Sequence, residues 1–83
     1  MKFKAEINIM PLKSLLDPQG KTVSASMENI GLSEIKNVRI GKHMILEINA
    51  ENKEEASSKV TMACENMLCN QIMESFEFII EEI

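Results

Sequence analysis

The chain has 83 residues, of which 45% are apolar and 27% charged, and its formal net charge is -4. Those proportions belong to one soluble globular domain and not to a disordered tail. A negative chain repels a phosphate backbone, which sets nucleic acid aside as a ligand, and no run of about 18 apolar residues offers a membrane span.

A domain this small buries only about 60% of the surface its unfolded chain exposes. Completion of its core by a partner or by self-association is therefore expected from length alone. The opening "MKFKAEINIM" lacks the unbroken apolar core of a secretory signal, which predicts a cytoplasmic protein. Cys64 and Cys69 are too few for a secreted disulfide framework.

Lys2 to Met10 alternate, with Phe3, Ala5, Ile7 and Ile9 on one side and Lys4, Glu6 and Asn8 on the other. That period predicts a half-buried strand, interrupted at Pro11 for want of an amide donor. Asp17 before Pro18 predicts a helix start, with a carboxylate cap and proline in the first turn. Val23, Met27 and Ile30 form its apolar stripe and Gly31 its stop. Gly20, Thr22, Ser24 and Ser26 make this helix intrinsically weak.

"EIKNVRIGKHMILEINA" predicts two strands. Val38 and Ile40 share a face of the first, Met44, Leu46, Ile48 and Ala50 a face of the second, and Gly41-Lys42 reads as the tight turn between them. Asn52 with Glu55 makes an approximate capping box for a second helix. Its stripe is Ala56, Val60, Ala63, Cys64 and Met67. A last strand, Ser75 to Glu81, sets Phe76, Phe78 and Ile80 against Glu77, Ile79 and Glu81. The order predicts an α+β domain over residues 1–83: a ferredoxin-like β-α-β-β-α-β two-layer sandwich, its mostly antiparallel sheet carrying two helices on one face.

Chemistry is sparse. Gly20-Lys21-Thr22 resembles the close of a phosphate loop, but that loop needs a glycine five positions earlier, where Leu15 stands. Pro18, which has no amide to donate, also lies inside it. On an α-helix Cys64 and Cys69 would sit about 140° apart, too far to bridge, and five-residue spacing is not that of a zinc knuckle. His43 is the single histidine, so no histidine metal cluster can form, and its alternation with Met44 places it away from the core. Methionines such as Met27, Met44 and Met67 read as core filler. No nucleophile, base and orienting group come together. Among ferredoxin-like domains, an RNA-recognition role lacks strand aromatics on the central hairpin. A heavy-metal role lacks a Cys-x-x-Cys after the first strand, where Leu12-Lys13-Ser14 stand, and an acylphosphatase role lacks the arginine-bearing phosphate loop. A stand-alone, ACT-like domain that binds a small metabolite stays open as an alternative.

Three stretches, "MKFKAEINIMPLKSLLDPQGKTV", "VRIGKHMILEINA" and "ENMLCNQIMESFEFIIEEI", together resemble the PurS subunit of phosphoribosylformylglycinamidine synthase over nearly the whole chain. Its most specific parts are Leu16-Asp17-Pro18-Gln19-Gly20 and Val38-Arg39-Ile40-Gly41-Lys42. The resemblance implies a ligase of purine synthesis that makes the amidine of formylglycinamide ribonucleotide from glutamine and ATP. In it a synthetase subunit, PurL, uses ATP and magnesium, a glutaminase subunit, PurQ, releases ammonia, and the PurS subunit is a small non-catalytic component that helps the two associate. It implies no catalytic residue, cofactor or metal on this chain.

The candidates for contact with partner subunits are Asp17, Gln19, Gly20, Arg39, Lys42 and Ile45. Ile45 departs from the family, which carries an acidic residue shortly after the Gly-Lys pair. With Met10 and Ile79 it falls on the sheet face opposite the core, and apolar residues there predict that the face is covered. Self-association as a dimer or tetramer is the matching expectation.

Overall fold

The alternating stretches form three strands in the computed structural model, which describes residues Met1–Ile83. They are β1 (Lys2–Pro11), β2 (Lys42–Asn49) and β3 (Glu74–Glu82). β1 lies in the middle, antiparallel to both neighbours, in the order β2-β1-β3. Period-two alternation sends Phe3, Ala5, Ile7 and Ile9 to one face, where all four are buried. Ala5 stands between Leu46 and Ile80, and Ile7 between Met44 and Phe78. Phe76 and Phe78 stack with ring centroids 6.3 Å apart.

Helix α2 (Lys53–Ala63) lays Ala56, Val60 and, just past its end, Cys64 onto that face. Asn52 caps it by accepting the Glu55 amide at 2.8 Å, and the Glu55 carboxylate reaches back to the Glu51 amide at 3.4 Å. Past Ala63 the helix widens into a π turn, Cys64–Leu68, closed by the Cys69 amide on the Cys64 carbonyl at 3.0 Å. The wider turn shifts the helical phase. Leu68 and Cys69 therefore face the core, and Met67, expected in the apolar stripe, stands 85% exposed. For the same reason the α-helical separation expected for Cys64 and Cys69 does not hold; both are free thiols buried in one cluster.

Helix α1 (Pro18–Met27) runs on through a 3-10 turn, Glu28–Ile30, to Gly31 at φ 80°. The predicted glycine stop is in place. Unlike α2, this helix is not laid over the sheet core. Gly20 is its one buried residue, Val23 and Met27 are half-buried, and Ile30 is 67% exposed. It stands instead beside the segment that enters β2.

That segment also differs from expectation. Val38–Ile40 joins no ladder, and no turn forms at Gly41-Lys42; the chain runs straight into β2. β1 pairs with β2 only as far as Ile9 opposite Lys42, although β1 itself runs on to Pro11 beside β3. The Val38 amide turns to Ser24 of α1 and the Ile40 amide to its cap, Asp17. The α+β class, the antiparallel sheet and the two helices are as expected. The strand order is that of the ferredoxin-like plan with its outermost strand unpaired. One consequence is shape: the radius of gyration is 16.5 Å, against about 12 Å for a compact chain of this length, and the molecule measures 51 × 27 × 14 Å.

Candidate functional site: the junction of α1 and β2

The two stretches that carry the resemblance meet at this junction. Asp17 caps α1, its Oδ1 accepting the Gly20 amide at 3.0 Å. Its Oδ2 accepts the Ile40 amide at 2.9 Å. One carboxylate thus closes the helix and pins the incoming strand. The Gly20 and Ile40 amides hold the Asp17 carboxyl below its ordinary value of 3.8 against desolvation, and the Arg39 charge adds a lesser pull in the same direction. Ser24 adds a second tie, accepting the Val38 amide at 2.8 Å.

Close approach explains both glycines. A Cβ on Gly20 would strike the Val38 carbonyl and the Asp17 carboxylate, and one on Gly41 would strike the Ile9 carbonyl and the Met10 sulfur. The Arg39 guanidinium donates to the carbonyl of Pro11 at the end of β1. Lys42 pairs with Glu74 at 3.3 Å, tying β2 across the end of β1 to β3. The Glu74 carboxyl also accepts the Asn70 amide at 2.9 Å; that bond, and then Lys42, hold it below its ordinary value of 4.5, with desolvation opposing.

Of the six candidates, Asp17, Gly20, Arg39 and Lys42 come together here, with Gln19 exposed at the start of α1. Ile45 lies apart. It stands 61% exposed on the sheet face away from α2, one side of Glu6, with Ile79, also 61% exposed, on the other. The sequence reading missed Ser24 and Pro11. Ser24 is a poor helix former facing a segment taken for a strand, and the Pro11 role is a carbonyl, which no sequence pattern marks.

Two open clefts of about 330 Å³ flank the junction. Leu16, Gln19, Gly41 and Lys42 are among the residues lining one, and Lys13, Lys21, Ser24 and Arg39 among those lining the other. Nowhere do three or more His, Cys, Asp or Glu side chains gather to hold a metal ion. The Gly20 amide, which a phosphate loop would aim at its ligand, is bonded to Asp17. Gly20-Lys21-Thr22 is the first turn of a helix. The site holds chain segments in place.

The family model described as PurS: Phosphoribosylformylglycinamidine (FGAM) synthase matches residues 4–82. This chain belongs to the PurS family. It is 36% identical over 75 residues to the PurS subunit of phosphoribosylformylglycinamidine synthase from Thermotoga maritima, covering 90% of this chain and 92% of that one. The Bacillus subtilis PurS subunit is 31% identical over 81 residues, covering 98% and 95%. A chain in the structure of PurLQS from Thermotoga maritima superposes with a TM-score of 0.86 at 34% identity, covering 100% of this chain and 99% of that one. The antiparallel three-stranded sheet with two helices is thus a PurS fold, and the junction described above is built from the two stretches that most resemble the family. No helix in it is long and apolar enough to cross a membrane.

Proposed function

We propose that this chain is the small non-catalytic subunit of a cytoplasmic phosphoribosylformylglycinamidine synthase, helping a glutaminase subunit and a synthetase subunit associate. Ammonia made at one active site must reach the other before water takes it, so a protein that fixes their geometry is needed even though it does no chemistry. The observation that carries this reading is the match, over the whole chain, to a chain of the Thermotoga maritima PurLQS structure. A junction devoted to backbone ties agrees with it. ATP and magnesium belong to the synthetase in this reading, and no cofactor sits on this chain.

Asp17 and Gly20 serve the junction itself, so their contribution to assembly is through its shape. Gln19, Arg39, Lys42 and Ile45 are exposed and are the proposed contacts with neighbouring subunits. Self-association as a dimer or a tetramer of dimers is part of the proposal. The extended shape and the exposed Ile45 and Ile79 support it.

The test compares two nitrogen sources in the reconstituted synthase. With glutamine, turnover should require this chain; with an ammonium salt, the synthetase should turn over without it. Full glutamine-dependent turnover in its absence would refute the bridging role.

A further inference from the structure

The chain forms three ion pairs, Lys2–Glu47, Lys42–Glu74 and Lys59–Glu55, and among the charges outside them two sets of opposite sign stand out. The first set is Lys13, Lys21 and Arg39, which line the cleft between α1 and the Val38–Arg39 segment. Leu15 and Leu16, 39% and 70% exposed, line the same cleft. Its one carboxylate, Asp17, already accepts two amides. Cations thus surround an exposed apolar floor.

The second set is on β3. Glu77, Ile79 and Glu81 point away from α2, all exposed, at about 6.8 Å intervals along the strand. Here carboxylates flank an exposed isoleucine. Lys4 stands opposite Glu81 and Glu6 opposite Ile79 on the same face, so the strip with its neighbours is still net negative and complements the cleft in charge and polarity. Within one chain the two cannot meet, because Glu77 stands opposite Asn8 and the strip runs from there away from Pro11, while the cleft lies beyond Pro11.

We propose that the cleft lined by Lys13, Lys21 and Arg39 docks the Glu77–Ile79–Glu81 strip of a second copy of this chain. Under a twofold axis each copy supplies one cleft and one strip, so the contact is made twice. Leu15 and Leu16 cover Ile79, and the cations meet the carboxylates on either side. The flat 51 Å molecule gives the second copy a long side to lie along. This inference rests on the self-association within the proposed function and goes beyond it by naming the surfaces.

Charge exchange tests it. Lys13 and Lys21 make no side-chain bond within the chain, so Lys13→Glu with Lys21→Glu should leave the fold intact, as should Glu77→Lys with Glu81→Lys. Each paired variant alone sets like charges together at both contacts. By sedimentation equilibrium it should self-associate at least about tenfold more weakly than wild type. Mixing the two variants restores opposite charges at both contacts of the mixed dimer, and should restore association. So should all four changes in one chain. If the wild-type chain self-associates but either variant matches it, or the folded variants stay apart when mixed, the assigned surfaces are wrong while self-association stands. A wild-type monomer at micromolar concentration would overturn both.

Discussion

The Asp17 carboxylate bonds the amide of Ile40 at 2.9 Å across 23 positions of chain, while its other oxygen caps the helix that begins beside it. Local and long-range order thus share one side chain. Asp17→Ala should lower the melting temperature by about 5 °C or more, beyond what loss of an ordinary cap brings. Thermal unfolding followed by circular dichroism measures this. An unchanged midpoint would show that the Ile40 tie contributes nothing.

The same residue sets a pH dependence. Its carboxyl is held down in the fold, so its stabilising effect is fully present above the unfolded value of 3.8 and is lost as pH falls through the lower folded value. Asp17→Asn removes that effect at neutral pH. The stability gap between wild type and Asp17→Asn should therefore narrow on acidification below pH 4. Urea midpoints along a pH series test the sign, and a gap that widens in acid contradicts it.

Gly20 reverses the usual helix rule. Inside a helix, alanine is about 1 kcal/mol better than glycine. Here the added methyl strikes the Val38 carbonyl and the Asp17 carboxylate, so Gly20→Ala should destabilise by roughly 1–3 kcal/mol. Gly31→Ala is the informative contrast: its site is open, and its cost of about 1 kcal/mol should come from the φ of 80° alone. A stabilised Gly20→Ala would mean that α1 does not lie this close to Val38.

Burial pushes the thiols of Cys64 and Cys69 above their ordinary value of 9.0. Little thiolate forms and little of it is accessible. A thiol reagent at neutral pH should label neither cysteine in the native protein and both in denaturant. Prompt labelling of Cys69 alone would place the π turn in a more open form than the one described.

The phase shift at the π turn takes Met67 out of the core, and its substitution should cost far less than that of a residue inside it. Met67→Gln, at an 85% exposed position, should change stability by less than about 0.5 kcal/mol. Ile7→Ala, in the centre of the sheet, should cost about 2–5 kcal/mol. Equal costs would restore Met67 to the core.

The sequence by itself determined what repeats at short range. The alternation of Phe3, Ala5, Ile7 and Ile9, the caps at Asp17 and Asn52, the stop at Gly31 and the core face of β3 were all legible, because each depends on the geometry of a few adjacent residues. The resemblance carried by "LDPQG" and "VRIGK" was legible too. Only the tertiary structure decided what those stretches do. Val38–Ile40 alternates like a strand, yet it joins no ladder. Its amides go to Ser24 and Asp17, residues that no period connects to it. Met67 kept perfect α-helical spacing and still left the core, because one wider turn at Cys64 shifts every later residue around the axis. Periodicity reports which residues share a face; the neighbour across that face is set by chain segments far away in sequence.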